Sequence, residues 1–141
     1  MSVDLTGSPA RVYQRVTELD EDEFAALMED PDTRARIIDV LVDHFDTLYK
    51  GDPKVDAVIH VKLWDRPDGG YDHRELVIKD GTCTASDQPE HEPRLTLKIR
   101  PTDLRRIVTG DAGPRRLALQ RKLTVLGDIR FGMKLTDLFE L

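Results

Sequence analysis

Only one cysteine, Cys83, stands among the 141 residues, which excludes an internal disulfide and any multi-cysteine zinc site. Serine is nearly absent too: it occurs at positions 2, 8 and 86, never in the strand–turn–helix setting of a nucleophile elbow. The one Gly-Gly pair, Gly69-Gly70, sits in a turn between two strand-like runs, so no glycine loop is placed to cradle phosphate. No apolar run approaches the ~20 residues that span a bilayer. Met1 to Leu5 has neither the basic head nor the apolar stretch of a signal peptide, and a soluble, cytoplasmic protein is the expectation. An excess of positive charge is also missing. With 21 Lys and Arg against 27 Asp and Glu, net -6, general nucleic-acid binding through phosphates is disfavoured.

What is present suits one globular domain with a heavily charged exterior: 39% hydrophobic and 34% charged residues in a chain of ordinary domain length. The charge is uneven. Residues 1–93 carry 22 acidic and 10 basic groups, net -12, whereas residues 94–130 carry ten basic groups against Asp103, Asp111 and Asp128, net +7. Such asymmetry suggests a surface or ligand preference, although solvated helix faces produce the same pattern.

Residues 1–19 lack periodicity and contain Gly7, Ser8 and Pro9, which predicts a loosely held lead-in before a single domain over 20–141. Asp20 and Glu23 have capping-box spacing and open a short helix through Phe24 and Leu27. Asp30-Pro31 starts a longer one, with Ile37, Ile38, Leu41, Val42, Phe45 and Leu48 at helical spacing. The period then changes to two. Ala57, Ile59, Val61 and Leu63 alternate along a first strand, and Tyr71 to Lys79 returns after the Asp65–Gly70 turn. Asp80-Gly81 predicts a tight hairpin into Thr82–Ala85. Leu95, Leu97 and Ile99 alternate in a fourth strand, short helices follow Pro101 and Pro114, and Lys122–Leu126 forms a fifth strand. Gly127-Asp128 caps a last helix carrying Ile129, Phe131, Met133, Leu135, Leu138 and Phe139. The order predicts an α+β fold with a five-stranded, mainly antiparallel sheet.

No catalytic constellation emerges, so the expectation is a protein that is not an enzyme, with no cofactor and no metal. Cys83 lies in a predicted strand and reads as a buried, inert thiol. His60 and His73 fall on strands joined by one hairpin and are placed to approach each other, but no histidine has metal-site spacing, and all four are expected to face solvent. The last helix is apolar on more than one narrow stripe. Such a helix buries two faces, lies against lipid or covers an apolar ligand.

The C-terminal third resembles the sterol carrier protein type two (sterol-binding) family. The segments that carry the likeness are Leu95-Thr96-Leu97-Lys98-Ile99, the helix from Asp103 to Thr109-Gly110, Pro114, Lys122-Leu123-Thr124-Val125-Leu126-Gly127-Asp128 and Met133-Lys134-Leu135. With the upstream hairpins, the likeness covers roughly residues 32 to 139. Two positions depart from it: Arg121 stands where the family usually has Gly, and Arg74 where many members carry an aromatic. The resemblance implies helices packed on one face of the sheet around an apolar tunnel, partly closed by the last helix, and non-covalent lipid binding or transfer. On that reading Val61, Leu63, Leu76, Ile78, Leu97, Leu104, Ile107, Leu117, Leu123, Phe131, Met133 and Leu135 are expected to line the tunnel. Arg105, Arg106, Arg115, Arg116 and Arg121 are expected at one end of it, facing an anionic head group or membrane surface. The partner is then a small apolar ligand, a fatty acid, acyl chain or sterol, with transient contact to an anionic membrane. A protein-interaction module whose cavity is filled by its own side chains is the alternative, and a contiguous apolar space of ~300 Å³ or more would favour the ligand.

Overall fold

The period-two segments pair into one five-stranded sheet, described here from a computed structural model covering residues 5–141. The strands are β1 (Ala57–Leu63), β2 (Asp72–Lys79), β3 (Thr82–Ser86), β4 (Leu95–Ile99) and β5 (Leu123–Gly127), in the order β3-β2-β1-β4-β5. Only β1 and β4 are parallel; the other three pairings are antiparallel. The β2–β3 hairpin turns through Asp80 and Gly81, both at positive φ, as a two-residue loop of matching twist requires. Register places Ala57, Ile59, Val61 and Leu63 on one face beside Leu76, Ile78, Leu95 and Ile99, all buried.

Among the described residues there are also seven helices: α1 (Pro9–Glu18), α2 (Glu21–Leu27), α3 (Pro31–Leu48), α4 (Pro101–Val108), α5 (Pro114–Leu119), α6 (Ile129–Met133) and α7 (Leu135–Leu138). The Asp20–Glu23 capping box forms as its spacing predicts, and Asp30 caps α3 by accepting from the Thr33 amide at 2.9 Å. Arg34, itself buried, ties α3 to the sheet. It contacts Asp72 at 2.6 Å and donates to the carbonyls of Leu63 and Trp64 at 3.0 and 2.8 Å.

Two expectations are corrected here. Residues 5–19 are not a loose lead-in: Ser8 caps α1, and Val12 and Val16, four apart on one helical stripe, are fully buried. Pro9 at the first helical position starts this helix rather than breaking a segment. Residues 1–4, part of the expected lead-in and of the N-terminal signal reading, lie outside the described residues. The single last helix is in fact two short ones, α6 and α7, separated at Lys134, with an extended end beyond them.

Candidate functional site

Between the inner sheet face and α3 and α4 lies a cavity of about 40 Å³ with an entirely apolar lining. Phe45 comes from α3, Ile59 and Val61 from β1, Leu76 from β2, and Leu97 and Ile99 from β4. Leu104 and Ile107 of α4, Pro114 of α5 and Leu123 of β5 close one side. Leu135, Phe139 and Leu141 close the other. Leu141 both lines the cavity and is 38% exposed, and Pro114 and Leu97 are half-buried, so the lining reaches toward solvent at these residues. The space holds about three waters at ~10–15 Å³ each, far below the ~300 Å³ of a small-molecule pocket. The structure therefore shows a small cavity in place of the expected tunnel, and in this closed-down state its volume matches the alternative of a space filled by the protein's own side chains.

Two contacts hold α3 to the elements around it. Arg74 projects from the inward register of β2, opposite Val61, and its Nε meets Asp39 of α3 at 2.6 Å. The pair, buried at its arginine end and exposed at Asp39, joins β2 to α3. The second is the C-terminal end, strapped against the segment that leaves α3. The Lys50 amide donates to the Leu138 carbonyl at 2.9 Å, and the Glu140 amide donates to Leu48 at 2.8 Å. Between these bonds Phe139, buried, meets Phe45 and Tyr49 edge-on at ring distances of 5.5 and 5.4 Å.

Of the twelve residues expected to line an apolar space, seven do so: Val61, Leu76, Leu97, Leu104, Ile107, Leu123 and Leu135. Five do not. Leu63 and Ile78 are on the inner face but at strand ends beyond the cavity, and Leu117 is buried without reaching it. Phe131 lies under the Arg94 guanidinium, 4.4 Å from its ring centre. Met133 points outward and is 63% exposed. Phe45 and Ile59 were visible in the sequence as periodic apolar positions, but Phe139 and Leu141 join the lining only because the chain end folds back.

The expected basic cluster divides. Arg105 is buried, donates to the carbonyls of Val16 and Leu19 at 3.1 and 2.8 Å, and stacks 4.3 Å from the Phe24 ring centre. Arg106 is held by Asp103 at 2.9 Å and by Glu21. Both guanidiniums join α4 to the α1–α2 corner. Arg115, Arg116 and Arg121 remain exposed. Arg121 adopts φ +60°, the left-handed conformation that explains a glycine preference at this turn.

On the opposite sheet face the histidines are not all solvent-facing. His60 is buried, its Nδ1 2.9 Å from His73 Nε2 and its Nε2 3.0 Å from Glu75 Oε2. His91 approaches the same carboxylate through its backbone amide and Nδ1, at 2.9 and 2.8 Å. Burial pushes Glu75 up, but the hydrogen bonds from His91 and His60 outweigh it and hold the carboxyl below its ordinary value. The Glu75 hydrogen bond raises His91, whereas burial lowers His73. Burial, with the nearby Asp46 charge, pushes the Cys83 thiol up to about 12. Among the described residues no group of three or more His, Cys, Asp or Glu is arranged to hold a metal ion, and no helix is long and apolar enough to cross a membrane.

Comparison with known proteins bears on this arrangement. Nothing among the curated proteins matches the chain. Among solved structures, sterol carrier protein domain 2 of Helicoverpa armigera aligns over 82% of this chain and 83% of its own, at 19% identity and a TM-score of 0.51. Palmitated SCP2L2 from Aedes aegypti aligns over 72% and 88%, at 18% identity and a TM-score of 0.56. A sec-alkylsulfatase from Pseudomonas, Pisa1, matches over 72% of this chain but only 16% of its own, at 16% identity and a TM-score of 0.58. At these identities the likeness is one of fold. The SCP-2 sterol transfer family matches residues 50–140, nearly two-thirds of the sequence and the whole sheet, and the chain belongs to that family.

Proposed function

We propose that the protein binds a lipid with a single extended apolar chain, an acyl chain, in the cavity between the inner sheet face and α3 and α4. The observation that carries the reading is the cavity itself: thirteen residues from four helices, four strands and the chain end converge on one apolar space, its closure depending on a short terminal strap. The palmitated state of the Aedes aegypti protein of the same fold supports an acyl chain. Binding is non-enzymatic and requires the strap to release, since about 40 Å³ admits no lipid.

The energies permit this. The two strap hydrogen bonds contribute about 1 kcal/mol each. The two edge-on contacts of Phe139 contribute about 1 kcal/mol each, and burial of its ring about 2. Freeing three or four residues returns about 1 kcal/mol of backbone entropy apiece. The strap is then closed by about 2–3 kcal/mol, whereas a chain of about fifteen methylenes supplies about 12 kcal/mol on burial.

The test is titration with a fluorescent fatty acid, alongside native mass spectrometry of the purified protein to identify any retained lipid. Val61→Phe and Leu97→Phe fill the cavity from two strands and are expected to lower affinity at least tenfold. Val58→Phe, on the outer face of β1, is expected to bind as wild type. Equal affinity in all four folded proteins would refute the cavity as the site.

A further inference from the structure

Most of the exposed large apolar side chains belong to one stretch of the chain. Leu119, Leu126, Ile129 and Met133 are exposed within a fifteen-residue run, with Leu119 86% accessible. Only Tyr71 and Leu141 are comparable among the other described residues. The run is built around β5, the edge strand next to β4, with α5 leading into its start and α6 leaving its end. Isolated exposed leucines need no explanation, whereas an exposed apolar patch rimmed by polar residues marks an interaction site.

The charges beside them share one sign. Arg115, Arg116, Arg121, Arg130 and Lys134 are exposed, and none forms an ion pair among the described residues. Lys122 is set apart because its charge acts on Glu21 of α2. The single acid between residues 113 and 134, Asp128, is already committed to Arg94 at 3.0 Å and to capping α6. By contrast, residues 18–32 carry eight acids and no base, so the α1–α3 corner repels an anionic surface. The net charge of -6 therefore conceals a strongly polarised molecule.

We infer that the α5–β5–α6 edge docks on the surface of an anionic lipid bilayer, inserting Leu119 and Met133 among the head groups while the arginines flanking them meet lipid phosphates. Large apolar side chains collared by Arg and Lys are the pattern of interfacial segments. A bilayer is the occupant favoured over a second copy, because pairing two copies of this edge sets five cations against five. The edge also adjoins the cavity: Pro114, next to Arg115 and Arg116, and Leu123, next to Lys122, are both lining residues. The inference rests on the acyl-chain reading for its purpose, delivering the cavity to lipid, but the surface stands without it.

The experiment is vesicle flotation with phosphatidylcholine alone and with phosphatidylcholine containing 30% phosphatidylglycerol, across a salt series. Wild type is expected to float with anionic vesicles only, with binding falling as salt rises. Arg115→Glu with Arg116→Glu, combined with Arg130→Glu and Lys134→Glu, is expected to weaken binding at least a hundredfold, since each basic residue at an anionic leaflet is worth about fivefold. Leu119→Ser with Met133→Ser is expected to lose about tenfold. Vesicle-free titration with the fluorescent fatty acid is expected to be unchanged in both variants, so loss of acyl binding in wild type would fail the cavity reading alone. Equal flotation with neutral and anionic vesicles would overturn the docking edge, as would variants that float like wild type. So would a wild-type dimer, seen by light scattering, that Leu119→Ser and Met133→Ser dissolve.

Discussion

Phe139→Ala isolates the strap from the rest of the fold. A phenylalanine truncated in a fixed core costs about 3–5 kcal/mol. Here the ring belongs to the last three residues, held by two backbone hydrogen bonds, so the segment can detach instead. Removing the ring deletes its two edge-on contacts and its burial, about 4 kcal/mol together, which exceeds the 2–3 kcal/mol by which the strap is closed. The variant is expected to hold the strap open for most of the time, up from about one part in a hundred. Global stability then falls by only the 2–3 kcal/mol of closure, less than a core truncation costs. Native-state hydrogen exchange reads this directly through the Lys50 and Glu140 amides, which donate across the strap. Their exchange is expected to accelerate by fifty- to a hundredfold, while the amides of β1 and β4 change only with global stability. Association of a fluorescent fatty acid is expected to speed up in parallel. Unchanged exchange at Lys50 and Glu140 would refute the reasoning. So would a fall of about 5 kcal/mol with strap and sheet amides opening together.

Three further outcomes follow from other parts of the molecule. Arg105→Ala strands the Val16 and Leu19 carbonyls and uncovers Phe24; it is expected to destabilise the fold by about 2–3 kcal/mol in a denaturant melt while leaving vesicle flotation intact. His91→Ala removes a ring contact to Glu75 that is strengthened by charge when Glu75 is ionised and His91 protonated. Because His91 is raised above 6.5 in the fold, its contribution is complete below that pH and is lost as pH rises through the raised value. Because Glu75 is lowered below 4.5, its part is present above 4.5 and lost as pH falls through the lowered value. The stability difference between wild type and His91→Ala is therefore expected to be greatest between pH 4.5 and 6.5 and to shrink at pH 9; a pH-independent difference would contradict the pairing. Cys83, buried and raised to about 12, is expected to resist a thiol reagent at pH 8 in the native state and to react fully in denaturant.

What the sequence by itself determined is the local structure and the inward residue set. Alternation along Ala57–Leu63 and Leu95–Ile99, the Asp80-Gly81 turn and the caps at Asp20, Asp30 and Asp128 involve neighbours a few residues apart, so their geometry is written in short spacings. Tertiary structure decided the rest. Whether an arginine is a surface charge or a clamp depends on distant partners: Arg105 reaches carbonyls 86 and 89 residues away, while Arg115 and Arg116, with identical chemistry, reach none. Likewise every inward apolar residue has the same period, but only those beside the gap left by α3, α4 and the strap line the cavity, which excludes Leu63 and Ile78 and admits Phe139 and Leu141. The size of the cavity was the least legible feature. It is a small difference between large packed volumes, and the last three residues, folding back across the end of α3, supply part of the lining.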